Sequence, residues 1–239
     1  MDDARFKDDL DAVLARAYIQ NIRQFIIPAV NAEQWPTQQA LKTLYPDVLN
    51  AFGIHPWFCH QHGSEHLTQL ETLLPQAIAV GECGLDFMPN RPALDIQIFW
   101  FKAQLKLAEQ HQLPVIIHAV KSTDMVLKTL KYHPNIRGVI HGFSGSIQQA
   151  EAFIKAGFFL GVGTRLMQSD GKKAQQLLKN IPLEAVLLET DAPDGLSGEQ
   201  RNEPCHLIKV AEYIATLRNQ DVGTILLTCN QNTRELFKL

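Results

Sequence analysis

The sequence feature that most constrains the fold is a recurring apolar run that ends in a side chain able to bind a metal or carry a proton. Residues 77–82, 115–118, 138–141 and 186–191 follow this pattern. Continuous apolar runs of this kind are typical of strands covered on both faces, as in a parallel sheet. Because the carboxyl ends of parallel strands meet at one edge, we expect the four terminal polar residues to share a rim. These residues are Glu82, His118, His141 and Asp191.

The strand ends and the segments between them predict an α/β fold. Seven strand ends are counted, at Pro28, His55, Glu82, His118, His141, Gly161 and Asp191. Helices are predicted over residues 8–18, 38–44, 65–74, 94–111, 124–132, 147–156, 171–178, 205–218 and 221–237. In the idiosyncratic segment 164–170, a surface role is expected for Arg165, with an anion contact as the alternative. Each interval has the length of one βα unit, so the chain reads as one strand short of a closed (β/α)8 barrel of the TIM type. An open doubly wound sheet is the alternative, but polar residues at most strand ends favour the barrel.

Composition limits the class of protein without naming a partner. The 239 residues contain no linker or low-complexity segment, which predicts a single domain over residues 1–239. A net charge of −3 gives no global basic bias, so a nucleic-acid substrate would be met by a local patch. The sequence shows neither a membrane-spanning apolar run nor a signal peptide. Four scattered cysteines without a C-x-x-C pair predict reduced thiols and a cytoplasmic protein.

Two imidazoles and two carboxylates at one rim predict metal-dependent hydrolysis. This nitrogen and oxygen ligand set suits divalent transition metals such as zinc or manganese. A carboxylate can bridge two ions, and paired ions can bind an attacking water and stabilise a leaving oxygen. Taken singly, Glu82 has a turn cap as its alternative, and a lone His118 or His141 is more often an interior histidine with satisfied hydrogen bonds than a ligand. Their joint placement at strand ends favours the metal site.

Five separate motifs resemble those of the TatD-like metal-dependent deoxyribonucleases. They are Gly-Ile-His55-Pro-Trp, Gly-Glu82-Cys-Gly-Leu-Asp86, Ile-His118-Ala, Ile-His141-Gly-Phe-Ser-Gly-Ser146 and Leu-Glu-Thr-Asp191-Ala-Pro193. The resemblance runs from Phe6 to the C-terminus and includes Arg201-Asn202-Glu-Pro204. It implies a TIM barrel that holds up to two Mg²⁺, Mn²⁺ or Zn²⁺ ions. The activity it implies is phosphodiester hydrolysis, commonly 3′-to-5′ removal of nucleotides from DNA, with a single strand or a 3′ end as the substrate.

The resemblance also implies a role for each residue at the metal site. Glu82 would bridge the ions, and His118 and His141 would hold one of them. Asp191 would bind the other ion and act on the nucleophilic water, so Glu82 and Asp191 are the predicted catalytic pair.

The resemblance departs from the family pattern at the N-terminus. Family members open with a strand carrying a His-x-His pair, and residues 1–24 contain no histidine. We therefore expect either a start assigned too late or a truncated gene, and one complete metal site in place of two. The pair His60-Gln-His62 has the required spacing but reads as a loop rather than a replacement.

Four further residues are predicted to contact the substrate. They are His55, Lys121, Ser144 and Asn202. A structural His-Pro turn is the alternative for His55, a helix N-cap is the alternative for residues 144–146, and orientation of Asp191 is the alternative for Asn202. Two other functions stay open: a related barrel hydrolase of small esters, lactones or amides, and a non-catalytic remnant that binds one metal. The sequence leaves the oligomeric state open.

Overall fold

The computed structural model describes residues 1–168, 171–198 and 200–239. Within them the strands are β1 Phe25–Pro28, β2 Val48–Phe52, β3 Ala79–Asp86, β4 Val115–Val120, β5 Gly138–His141, β6 Phe158–Val162 and β7 Val186–Leu188. The helices are α1 Leu10–Ile19, α2 Trp35–Leu44, α3 Glu65–Leu73, α4 Leu94–His111, α5 Thr123–Leu130, α6 Ile147–Lys155, α7 Thr164–Gln168, α8 Lys172–Asn180, α9 Leu207–Arg218 and α10 Val222–Phe237. The seven predicted strands are therefore confirmed.

The order of the strands distinguishes between the two predicted architectures. The strands follow one another in the sheet in chain order, from β1 to β7. The pairs β2–β3, β3–β4, β4–β5 and β6–β7 are parallel. A doubly wound sheet reverses its strand order at a switch point, whereas a barrel-type fold adds its strands in sequence. The order therefore supports the barrel class.

The chain divides into two compact units. One unit comprises Ile26–His141 and Ala156–Phe158, and we call it the histidine unit. The other comprises Met1–Phe25, Gly142–Lys155 and Phe159–Leu239, and we call it the terminal unit. The single-domain prediction stays a prediction.

An irregularity in β3 determines where the side chains of the histidine unit lie. Val80 pairs with Val115 of β4, but Cys83 pairs with Ile117, so β3 has one more residue than β4 over this stretch. An extra residue of this kind is a β-bulge, which bends a strand and redirects its side chains. Glu82 lies within the bulged stretch. The strand then continues to Asp86, which pairs with Val120.

Two strand-end predictions are corrected by these bounds. Glu82 was expected at the end of its strand, but it lies inside β3 because residues 83–86 continue the pairing with β4 beyond the bulge. His118 also lies inside its strand, since β4 continues to Val120. The segment 164–170 contains the short helix α7 up to Gln168; Ser169 and Asp170 lie outside the described residues.

In the terminal unit, ion pairs join the first residues of the chain to a late loop. Arg201 donates from Nη1 and Nη2 to the carboxylate of Asp9, at 2.7 and 2.6 Å. Arg16 donates to both carboxylate oxygens of Glu203, at 2.7 and 2.9 Å. These contacts hold α1 and the segment before it against residues 201–203.

Across residues 1–168, 171–198 and 200–239, no helix has both the length and the apolar character needed to cross a membrane. The four cysteines are free thiols, as predicted.

Candidate active site

Glu82 and His118 form the centre of a buried polar cluster in the histidine unit. The Nδ1 atom of His118 lies 2.9 Å from Oε1 of Glu82. His55 approaches the same oxygen, with its Nε2 atom at 3.5 Å. Each of the three residues offers a ligand atom, and these atoms lie within 4.8 Å of one another. Side chains from β3, β4 and the segment after β2 thus meet at one point.

Asp86 orients the ring of His118 from the opposite side. Its Oδ2 atom lies 3.0 Å from Nε2 of His118, and the Asp86 side chain is only 1% exposed. With both ring nitrogens facing carboxylates, the ring plane is held in one orientation. In the protonated ring both nitrogens donate, to Asp86 and to Glu82; once Nδ1 loses its proton, Nε2 still donates to Asp86 and the Nδ1 lone pair is available to a metal ion.

Within this cluster, the imidazoles stabilise the ionised carboxylates, and the carboxylates stabilise the protonated form of His118. Burial disfavours the charged form of His118, but its hydrogen bonds with Asp86 and Glu82 outweigh burial and raise its pKa. Burial likewise opposes ionisation of Glu82, yet the neighbouring histidines His141, His55 and His118 outweigh it and hold the pKa of Glu82 well below its ordinary value. The pKa of Asp86 is lowered despite burial, first by the hydrogen bond with His118 and then by that from Trp57. Both carboxylates are therefore ionised at neutral pH, as metal ligation and its support require.

The hydrogen bonds of His55 favour a donor role over metal ligation. The backbone N–H of Trp57 donates to Nδ1 of His55 at 3.1 Å, so Nδ1 is an acceptor. In a neutral imidazole the other nitrogen then carries the proton, and Nε2 is the atom that faces Glu82. Burial lowers the pKa of His55, which favours this neutral form. A protonated Nε2 donates a hydrogen bond but has no lone pair for a cation.

His141 is the second imidazole at a strand end of this unit. It is the register partner of His118 on the neighbouring strand, β5. It contributes to lowering the pKa of Glu82. The donor set Glu82, His118 and His141 is one that zinc and manganese accept in proteins. The residues of this unit therefore fit a divalent metal ion.

The remaining predicted metal ligand, Asp191, lies in the terminal unit. It follows β7 by three residues and has a backbone φ of 60°. Its Oδ2 atom lies 3.3 Å from Nη2 of Arg165 on α7. Nearby in sequence, Glu189 accepts a hydrogen bond from the backbone N–H of Gly142 at 2.8 Å. Glu189 and Asp191 are thus each placed by a contact within the terminal unit.

Asn202 does not occupy the position predicted for a substrate contact. Its side chain is fully buried, at 0% exposure. Its Nδ2 atom donates to the Thr164 hydroxyl at 2.9 Å, to the Asp194 carbonyl at 2.7 Å and to the Thr190 carbonyl. These bonds span the turn that contains Asp191, so Asn202 positions that turn, as the alternative to a substrate contact predicted. The buried Asn202 side chain has no atom accessible to a substrate.

Lys121 and Ser144 are both exposed, at the ends of β4 and β5 respectively. Their predicted contacts with substrate stay predictions. Ser146, two residues further on, accepts a hydrogen bond from the backbone N–H of Gln149 at 3.2 Å. The alternative of a helix N-cap therefore holds for this residue, at the start of α6.

The structure rejects the substitute histidine pair. Nδ1 of His62 lies 2.9 Å from the Phe58 carbonyl, and Nε2 accepts from the backbone N–H of Ala32 at 3.2 Å. Both ring nitrogens are therefore used by the backbone, and the ring fastens its loop.

The role of Asp86 was not predicted from the sequence, although the residue belongs to the Gly-Glu82-Cys-Gly-Leu-Asp86 motif. The signal was present: in an extended strand, residues two and four positions apart share a face. Glu82, Gly84 and Asp86 have that spacing. A second carboxylate on the same face of a metal-site strand is a candidate support for a histidine ligand.

The chain matches the family described as TatD related DNase over residues 1–238. It is 36% identical over 243 residues to the uncharacterized metal-dependent hydrolase YjjV of Escherichia coli strain K12, covering 98% of this chain and 93% of that protein. It is 33% identical over 248 residues to a protein of Erwinia billingiae strain Eb661 named 3′-5′ ssDNA/RNA exonuclease TatD, covering 98% and 95%.

Solved structures of TatD proteins have the same fold as this chain. The crystal structure of YjjV, a TatD homologue from Escherichia coli K12, matches with a TM-score of 0.94 at 35% identity, over 100% of this chain and 95% of that one. A TatD family hydrolase from Entamoeba histolytica matches in fold, with a TM-score of 0.87 at 20% identity, over 96% and 89% of the two chains.

The fold and the buried Glu–His cluster define a metal-dependent hydrolase. The chain belongs to the TatD-related DNase family. The predicted fold class, family and metal dependence are thereby confirmed.

Proposed function

We propose that this hydrolase removes nucleotides from the 3′ end of single-stranded DNA or RNA. The observation that supports the proposal most directly is the buried Glu82–His118–Asp86 chain of hydrogen bonds, at 2.9 and 3.0 Å. It sits in a chain 33% identical to a protein named for this activity. The chemistry of the cluster suits a phosphodiester, whose hydrolysis requires an activated water and neutralisation of negative charge.

Glu82, His118 and His141 are the residues we assign to metal binding. A divalent ion held there supplies a Lewis acid that neutralises phosphate charge and lowers the pKa of a bound water. Asp86 keeps His118 in the orientation that directs Nδ1 towards Glu82. Glu82 remains ionised because the adjacent histidines hold its pKa low.

His55 and Asp191 complete the proposed assignment. The protonated Nε2 of His55, which faces Glu82, is suited to donate to a phosphate oxygen. Asp191 is assigned, from its motif, to accept the proton of the attacking water. Lys121 and Ser144 are assigned to contacts with the nucleic-acid backbone, on the same ground.

The test uses 5′-labelled single-stranded DNA and RNA with added Mg²⁺, Mn²⁺ or Zn²⁺. We expect a ladder of products shortened from the 3′ end. Glu82→Gln should lower the rate at least ~10³-fold, because the ligand charge is lost. The same substitution at an exposed glutamate of α10, Glu235→Gln, is the matched control and should leave the rate unchanged.

Metal content is measured in parallel by elemental analysis. We expect Glu82→Gln to bind less metal than the wild-type chain. Unchanged activity and metal content in this variant would remove the central assignment. Hydrolysis of small esters or lactones by the wild-type chain, without cleavage of either nucleic acid, would overturn the proposed substrate.

A further inference from the structure

The exposed indole of Trp57 is the feature of the histidine unit that the proposed chemistry leaves unused. Trp57 is 40% exposed, whereas Trp35 and Trp100 are each 4% exposed. A large aromatic surface open to water beside a buried polar cluster costs solvation free energy. Exposed indoles are also among the best surfaces for binding a flat, apolar ligand.

The ring of Trp57 is held rigidly by two contacts. Its Nε1–H donates to Oδ2 of Asp86 at 2.6 Å. The guanidinium carbon of Arg91 lies 3.8 Å from the ring centroid, and Nε of Arg91 lies 3.5 Å from the same carboxylate oxygen. An aromatic surface fixed in advance binds a ligand with a smaller loss of conformational entropy.

The same carboxylate oxygen connects the ring to the proposed metal ligands. Oδ2 of Asp86 contacts both the Trp57 indole and Nε2 of His118. The Trp57 and His118 rings lie 6.2 Å apart, centroid to centroid. A group stacked on Trp57 would therefore lie close to His118, one of the proposed metal ligands.

Charge and apolar surface around the ring indicate what kind of ligand fits. Arg91 places a positive charge against the indole. Met88, whose backbone N–H donates to Oδ1 of Asp86, adds a second exposed apolar side chain at 38% exposure. A cation combined with an open aromatic face matches a nucleotide, which has an anionic phosphate and a flat base.

We propose that Trp57 and Arg91 form a nucleobase platform, in which a base next to the scissile phosphate stacks on Trp57 and Arg91 attracts the backbone phosphate. The inference rests on the proposed function and names the part of the substrate that is recognised. Since stacking is tolerant of sequence, the platform selects unpaired nucleotides without selecting a particular base.

The test is an equilibrium binding measurement that does not depend on turnover. Fluorescence anisotropy in EDTA compares a labelled oligothymidylate with an abasic oligonucleotide of equal length and charge. We expect the wild-type chain to bind the base-bearing strand about 10-fold more tightly, the size expected for base stacking on an aromatic ring. An equal affinity for the two strands, or no binding of either, would overturn the platform.

Two substitutions separate stacking from the hydrogen bond to Asp86. Trp57→Leu removes both, whereas Trp57→Phe removes the bond but keeps a ring. We expect Leu to abolish the preference for bases and Phe to retain most of it. Equal loss in both variants would assign Trp57 to holding Asp86 and would overturn the platform. Phe99→Leu, at a ring of α4 that is 55% exposed, is the matched control and should leave the preference intact.

Arg91→Gln tests the phosphate contact. We expect weaker binding of both strands and a shallower salt dependence, with the preference for bases retained. Unchanged salt dependence would remove Arg91 from the platform. Activity is a separate result: a wild-type chain that prefers the base-bearing strand but cleaves neither nucleic acid would overturn the proposed function and leave the platform in place.

Discussion

At the scale of single residues, the site depends on how one imidazole is held. His118 lies between Glu82 and Asp86, so its two nitrogens are distinguished by their partners. His55 is held differently, because a backbone N–H fixes its Nδ1 as an acceptor. Two histidines that look alike in sequence thus take different roles: His118 can offer Nδ1 to a cation once that nitrogen loses its proton, and neutral His55 has a proton on Nε2 available for an anion.

The first residue-scale prediction concerns Asp86→Asn. We expect metal affinity to fall about 10- to 100-fold, because the amide no longer holds His118 as the carboxylate does. Calorimetric metal titration measures the affinity, and the ¹⁵N shifts of the His118 ring report its tautomer. Asp95→Asn, at an exposed position of α4, is the control and should change neither. Wild-type affinity with an unchanged tautomer in Asp86→Asn would contradict the orienting role.

At the scale of elements, β3 carries both carboxylates, with Glu82 in the bulged stretch and Asp86 at the end of the strand. After the bulge the strand approaches β4 so closely that a side chain at Gly84 would overlap the carbonyl oxygen of His118. Gly84 also has a φ of +135°, which L side chains rarely adopt. The Gly-Glu-Cys-Gly motif is therefore a backbone requirement as well as a source of ligands.

Gly84→Ala is predicted to destabilise the protein by at least about 2 kcal/mol, because backbone strain and a steric clash act together. Thermal and urea unfolding measure the change. The control is Gly171→Ala, where an added Cβ meets no atom within 4 Å, and we expect a change within about 0.5 kcal/mol there. Equal stability of the two variants would mean that β3 can move away from β4 at no cost.

At the scale of the whole chain, distant segments are joined by charge. In the terminal unit Arg201 contacts Asp9 and Glu203, and Arg5 contacts Asp194. The hydrogen bond from Arg5 lowers the pKa of Asp3 to about 2. The pKa of Asp9 is lowered by Arg201, and that of Glu203 by Arg16 despite some burial.

These lowered pKa values determine the sign of the pH dependence. A carboxylate with a lower pKa in the folded than in the unfolded chain adds stability above its unfolded pKa, about 4, and loses it as the pH falls towards 2. We expect the urea midpoint to decrease over that window. Arg201→Met should lower stability at pH 7, with a smaller deficit near pH 3, because below about pH 4 the unfolded chain takes up protons on the partner carboxylates and part of their stabilisation is already lost.

Two features make this comparison specific. Methionine keeps the apolar contact with Phe6, whose ring lies 4.9 Å from the Arg201 guanidinium carbon. Arg234→Met, at an exposed position of α10, is the matched control and should show no pH-dependent deficit. A deficit for Arg201→Met that is the same at pH 7 and pH 3 would assign its effect to packing in place of charge.

The sequence by itself determined the elements, the strand count and the class of site. Buried parallel strands require nearly uninterrupted apolar residues, so β3, β4, β5 and β7 could be predicted from apolar runs in the sequence. The polar residues that end or interrupt those runs could be predicted as candidate ligands in the same way. The residues of five motifs identified the family, and a relative named as a metal-dependent hydrolase supports the predicted metal dependence.

Only the tertiary structure decided how the side chains are used. The bulge that places Glu82 inside β3 depends on its register against β4, and register arises from pairing between strands distant in sequence. The tautomer of His55, the support of His118 by Asp86 and the burial of Asn202 all depend on hydrogen-bond partners brought together by folding. A residue's type limits what it can donate or accept, but its neighbours in space decide which of these it does.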